Sequence, residues 1–189
     1  MNKQIVADAT AYIAELFKGN SDGHDLDHSL RVYRNAMKIA EIESGDKEII
    51  AMAALLHDTD DHKLFNTANN KNARSFLLKH GFVQEKIDRI IEAVNAVSFS
   101  KNRGKRPETI EGQIVQDADR LDALGAIGIA RTFAYGGTHQ RPLSSSIEHF
   151  HEKLLLLKDE MNTAEGKRIA AERHQFMEEF LRRYSEEMQ

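Results

Sequence analysis

A histidine followed directly by an aspartate, His57-Asp58, closes an apolar run that reads Ile49-Ile50-Ala51-Met52-Ala53-Ala54-Leu55-Leu56. A helix that is apolar on every side is normally buried. The doublet is therefore carried toward the interior, where an unpaired carboxylate costs on the order of several kcal/mol. A bound cation or good hydrogen bonds would offset that cost. The competing reading is a helix end at the surface, with His57 favoured by the helix dipole and Asp58 opening a solvated turn, Thr59-Asp60-Asp61.

Two further segments carry side chains of matching chemistry. In Gly23-His24-Asp25-Leu26-Asp27-His28-Ser29-Leu30-Arg31-Val32, His28 and Arg31 stand three apart. On a helix that spacing puts a metal-ligating imidazole and a phosphate-pairing guanidinium on neighbouring positions of one face. His24 is a rival ligand, less firmly positioned because it falls in the loop before the helix. The third segment, Gln116-Asp117-Ala118-Asp119-Arg120-Leu121-Asp122-Ala123-Leu124-Gly125, sets three aspartates between apolar stretches. Arg120 and Arg131 could pair with Asp117 and Asp122 in a purely structural network. At about 100° per residue, Asp117 and Asp119 point roughly 200° apart, so both cannot face one metal, whereas Asp122 returns near Asp119 one turn along.

These segments must be positioned by helices. Prolines occur only at Pro107 and Pro142, and the stretches between turn signals show apolar residues at helical spacing. The pattern predicts an all-α fold with helices at about 2–18, from Asp25 or Asp27 onward, 46–57, 69–80, 83–97, 108–121, 122–135, 145–161 and 163–187. The basic stretch from Ser98 to Pro107 and the stretch from Gly136 to Pro142 read as loops. The last helix, with Ile169, Phe176, Phe180 and Tyr184 at helical spacing, reads as an amphipathic cover. His80, beside Gly81 at a helix end, reads as a C-terminal cap.

Composition narrows the chemistry. Of 189 residues, 41% are hydrophobic and 30% charged, as expected of one globular domain spanning 1–189. No apolar run approaches the roughly 20 residues of a membrane span, and the first residues carry acid early without an apolar signal core, which points to the cytoplasm. Cysteine is absent, so any metal sits on nitrogen and oxygen. A net charge of −4 argues against a broad nucleic-acid-binding surface, and the basic Lys101–Arg106 stretch brings no aromatic platform.

Taken together, a His in an early helix, a later His-Asp doublet and a distant Asp in an Ala-Asp-Arg-Leu string resemble the HD-domain phosphohydrolases. The fuller strings are similar to a group of small bacterial predicted HD hydrolases, over about residues 20–137. The resemblance implies an HD-domain helical bundle, with residues 145–187 packing on the motif-bearing part. It also implies metal ligands at His28, His57, Asp58 and Asp119. Two imidazoles and two carboxylates suit one divalent ion, such as manganese, magnesium, iron, nickel or zinc. His62 and His80 do not match the additional ligands of two-metal relatives. Asp61 resembles the acidic residue that follows the doublet and is the candidate general acid/base, with a solvated turn carboxylate as the alternative. Arg31 and Lys63 are the phosphate-binding candidates, a fork and a point charge respectively.

The expected activity is hydrolysis of a small phosphorylated metabolite, first of all a nucleotide. By family analogy, cleavage of a nucleoside triphosphate to monophosphate and pyrophosphate leads. A nucleoside monophosphate phosphatase, a signalling-nucleotide hydrolase and a non-catalytic metal- or nucleotide-binding regulator are the alternatives.

Overall fold

The computed structural model describes residues 2–19, 25–62, 64–98, 102 and 104–189. Among them the regular elements are helical and no strand occurs. In chain order they are α1 (Lys3–Leu16), α2 (Leu26–Ile39), α3 (Lys47–Leu56), α4 (Lys71–Lys79), α5 (Gln84–Val97), α6 (Ile110–Asp122), α7 (Gly125–Thr138), α8 (Leu143–Glu152), a 3-10 turn (Leu154–Glu160) and α9 (Ala164–Glu187). No helix among the described residues is long and apolar enough to cross a membrane.

The all-apolar helix α3 lies at the centre, packed by α1, α2, α5 and α6. Each of its residues from Ile49 to Leu56 is 0% exposed, and burying each large aliphatic side chain contributes about 1.5–3 kcal/mol. Its ends are fixed locally. Asp46 Oδ1 accepts from the amides of Glu48 at 2.9 Å and Ile49 at 3.3 Å, and His57 occupies the C-cap. Helix α6 packs on α2, α3 and α5, so the doublet, the His28 helix and the triple-aspartate helix meet.

Three boundaries depart from the sequence reading. Helix α7 starts at Gly125 and runs through Gly136-Gly137 to Thr138, where a loop was expected. Gly136 is buried, and a Cβ there would stand 2.6 Å from Ser146 Oγ. The glycine therefore serves close helix packing of α7 on α8. The helix expected over 145–161 breaks at Lys153 (φ −139°, ψ −57°) into α8 and the 3-10 turn. Within that turn Leu154 and Leu157 are buried, and a three-residue period places both on one side. On α9 the buried stripe runs through Ile169, Ala170 and Met177, one position away from Phe176, which is 53% exposed. Rings of Phe133, Phe150 and Phe180, with centroids 5.8–6.1 Å apart, join α7, α8 and α9.

Candidate metal centre

His28 enters from the first turn of α2, where Asp25 is the N-cap and accepts from the His28 amide at 2.7 Å. Of the two possible caps, Asp25 takes the role, and it fixes the backbone that carries the imidazole. The His28 ring is 4% exposed and the His57 ring 2%. Asp58 follows at 11%, and Asp119, on the last turns of α6, is 25% exposed. The imidazoles thus form the floor and Asp119 the rim.

Hydrogen bonds on the far side of each ring decide which nitrogen faces the centre. His28 Nδ1 lies 2.8 Å from Asp122 Oδ2, and His57 Nδ1 lies 2.9 Å from the Ala54 carbonyl oxygen. An ionised carboxylate and a carbonyl only accept, so both Nδ1 atoms carry the hydrogen and both Nε2 atoms present lone pairs. Those Nε2 atoms are 3.2 Å apart. Asp58 Oδ2 stands 3.4 Å from His28 Nε2 and 3.2 Å from His57 Nε2. Asp119 Oδ1 stands 3.4 and 3.9 Å from the same two nitrogens. Ligand atoms of His28, His57 and Asp119 all fall within 4.8 Å of one another.

Four lone-pair donors this close need positive charge between them, as a proton or as a metal ion. Burial lowers the affinity of His28 for a proton, yet its hydrogen bonds to Asp119 and Asp122 and the charge of Asp58 hold its pKa up at about 9. Burial opposes protonation of His57 in the same way, and Asp58 outweighs it. Donors about 2.1 Å from a shared divalent ion sit about 3.0–3.5 Å apart. The observed separations are close to that, and the donor set of imidazole and carboxylate suits a borderline-to-hard divalent ion.

Positive charge flanks this centre on the Asp122 side. Arg31 donates Nε to Asp122 Oδ1 at 2.7 Å and Nη2 to Oδ2 at 3.1 Å, while Arg131 Nη1 reaches Oδ2 at 2.5 Å. Burial would raise the Asp122 pKa, but hydrogen bonds from His28 and Arg31 and the charges of His28 and Arg131 hold it far below the usual carboxylate range. Arg31, read from the sequence as a phosphate fork, therefore engages Asp122 first. Arg131 does pair with Asp122, whereas Arg120 pairs with Glu160 at 3.3 Å and not with Asp117. Asp117 accepts instead from the amides of Asn162 and Thr163, each at 2.8 Å, at the start of α9.

The remaining sequence candidates are dispersed. Asp61 follows the doublet in a turn closed by its amide to the Asp58 carbonyl at 3.1 Å, with a side chain 20% exposed. Lys63 and His24 lie outside the described residues, as do Lys101 and Arg103 of the basic stretch. In the rest of that stretch, Arg106 donates to Gln113 Oε1 at 3.0 Å and Lys105 is exposed. His80 caps α4, with Nδ1 2.9 Å from the Phe76 carbonyl. Sequence reasoning did not single out Asp60, whose carboxylate accepts from the amides of Asn72 and Ala73 at 3.0 Å each and ties the post-doublet turn to α4. Its signal was present in the acidic run, but the partner lies twelve residues on.

Residues 25–124 match the family described as HD domain. The uncharacterized protein YpgQ of Bacillus subtilis is 40% identical over 186 residues, which cover 94% of this chain and 90% of YpgQ. The crystal structure of YpgQ in complex with ADP matches with a TM-score of 0.84 at 35% identity, covering 97% of this chain and 95% of that one. An HD-superfamily hydrolase from Bacillus thuringiensis matches with a TM-score of 0.83 at 38% identity over 98% and 97% of the two chains. The family match spans His28, His57, Asp58, Asp119 and Asp122 and stops before α7. On these grounds the chain belongs to the HD domain family.

Proposed function

We propose that this protein is a divalent-metal-dependent phosphohydrolase acting on a nucleotide, with cleavage of a nucleoside triphosphate to monophosphate and pyrophosphate as the favoured reaction. The observation that carries the proposal is the convergence of His28 Nε2, His57 Nε2, Asp58 Oδ2 and Asp119 Oδ1, four lone-pair donors with 3.2–3.9 Å between each imidazole nitrogen and its neighbours. The ADP bound to YpgQ, a relative with the same fold, supports a nucleotide as the ligand class.

In this reading His28, His57, Asp58 and Asp119 hold one ion. A bound divalent ion supplies Lewis acidity toward water and neutralises phosphoryl charge. Asp119, the most exposed of the four side chains, marks the side from which substrate enters. Arg31 and Arg131, 26% and 34% exposed, place cationic charge at that rim while anchoring Asp122. Asp61 is the acid/base that moves a proton to or from the reacting oxygens, and Lys63 adds a point charge for phosphate.

The test is a panel of nucleoside mono-, di- and triphosphates and signalling nucleotides, assayed with manganese, magnesium, iron, nickel and zinc, with products separated by chromatography. Pyrophosphate and monophosphate from triphosphates are expected. Inorganic phosphate from monophosphates would replace the favoured reaction with a phosphomonoesterase. Tight nucleotide binding with no product under any metal would leave a regulator in place of an enzyme.

A further inference from the structure

Helix α9 lies wholly beyond the segment that matches the family, yet one of its side chains reaches the end of α6, where Asp119 and Asp122 are mounted. We infer that Arg173 is a positioning residue for the metal centre, locking the carboxylate-bearing end of α6 to the His28-bearing helix α2. The inference rests on the metal-binding reading given above.

Near the end of α6 the Leu121 carbonyl accepts from the Leu124 amide at 3.1 Å, and its second lone pair is open to a side-chain donor. Arg173 Nη1 donates to the Leu121 carbonyl at 2.5 Å, between the two aspartates in sequence. Its Nη2 donates to Asn35 Oδ1 at 2.9 Å, and Asn35 Nδ2 donates to the Ala118 carbonyl at 3.3 Å. Asn35 lies on α2, on the same helix as His28. One guanidinium thus spans the two helices that supply His28 and Asp119, and its planar fork fixes their relative position better than a single point donor would.

Packing reinforces the bond pattern. Just past α6 the chain turns through Gly125 (φ +72°) directly over the arginine stem, where a Cβ would stand 3.1–3.4 Å from the Arg173 Cβ, Cγ and Cδ atoms. Glycine, with no Cβ, leaves the room that the stem occupies. Burial lowers the Arg173 pKa, and the charges of Asp122 and Glu172 oppose that. A second contact joins the same two helices, one turn back along α6. Asp117 of α6 accepts from the Thr163 amide and Oγ1, both at 2.8 Å, and Thr163 is the N-cap of α9. Each helix therefore supplies a partner to the other, and of these two contacts only that of Arg173 also engages the His28-bearing helix α2.

The second contact gives the experiment its control. Chelator-stripped full-length protein is titrated with Mn²⁺, its Co²⁺ visible absorption spectrum is recorded, and its thermal midpoint is measured, for wild type, Arg173→Met, Arg173→Lys and Thr163→Val. Arg173→Met, which keeps the stem and loses the fork, should weaken Mn²⁺ binding about tenfold or more and alter the Co²⁺ spectrum, with Arg173→Lys recovering part of the affinity. Thr163→Val should lower the thermal midpoint while keeping Mn²⁺ affinity within about twofold of wild type. Wild-type affinity and spectrum in Arg173→Met would overturn the inference, as would an equal affinity loss in Thr163→Val. Should Arg173→Met not fold, Arg173→Lys alone decides, because wild-type affinity there shows that the fork is not needed. Wild-type protein that binds no Mn²⁺ removes the metal centre itself, a separate failure that takes this inference with it.

Discussion

Asp122 Oδ2 lies 2.8 Å from His28 Nδ1, so a carboxylate one helical turn beyond Asp119 determines which imidazole nitrogen faces His57, Asp58 and Asp119. Arg31 and Arg131 hold that carboxylate from its other sides. The arrangement separates residues that present lone pairs to the centre from residues that orient them.

Asp122→Asn should therefore weaken divalent-metal binding by about 10–100-fold without abolishing it, because the amide oxygen still accepts from His28 while the charge facing Arg31 and Arg131 is gone. Its pH dependence has a definite sign. The Asp122 pKa is depressed in the folded chain, so its contribution to stability is complete above the unfolded carboxylate value of about 3.9 and is lost as pH falls below it. Acid titration of metal-stripped protein followed by circular dichroism should show wild type and Asp122→Asn converging in stability below pH about 4. A gap that widens there would contradict the role given to Asp122.

Asp117 and Asp119 of α6, together with Asp58, should separate by metal content. Asp119→Asn and Asp58→Ala should emerge from purification without metal, whereas Asp117→Asn should retain it at a cost in stability, because Asp117 caps the start of α9. Elemental analysis decides. Retention in Asp119→Asn together with loss in Asp117→Asn would reverse the assignment.

Arg31→Ala has two consequences, since its fork is spent on Asp122. Loss of a charge-assisted contact should cost about 1.5–3 kcal/mol in transition-state stabilisation, and metal affinity should also drop, less than in Asp122→Asn. Kinetics with saturating metal separate the two effects. An unchanged rate and KM would remove Arg31 from the phosphate site.

Gly166→Ala should destabilise the chain by about 1–3 kcal/mol in urea denaturation, because the added methyl would press on the Asp117 carboxylate. A Cβ at that position would stand 2.4 Å from Asp117 Oδ2. A neutral result would mean that the start of α9 can shift away from α6 freely.

Much of this fold is written in periodicity that acts locally. The eight apolar residues of α3 announce a buried helix, and all eight are 0% exposed. The 200° separation of Asp117 and Asp119 anticipated that they would serve different neighbours, and Asp117 indeed faces α9. Legibility fails where the partner is distant or where packing overrides local preference. The Gly136-Gly137 pair reads as a loop until Ser146 is seen against Gly136. The pairing of Arg173 with Leu121, fifty-two residues apart, has no local signature. A structural pairing of Arg120 with Asp117 was the competing reading of the sequence, but the 3-10 turn brings Glu160 to Arg120 instead.

The most direct measurement is turnover of a nucleoside triphosphate by chelator-stripped protein as Mn²⁺ is added back, with the product identified at each point. The account predicts no turnover in the stripped protein, a rate that rises with added ion and levels off at one equivalent per chain, and no recovery in Asp119→Asn. Full turnover after stripping, or a rate that saturates only at two equivalents, would contradict it.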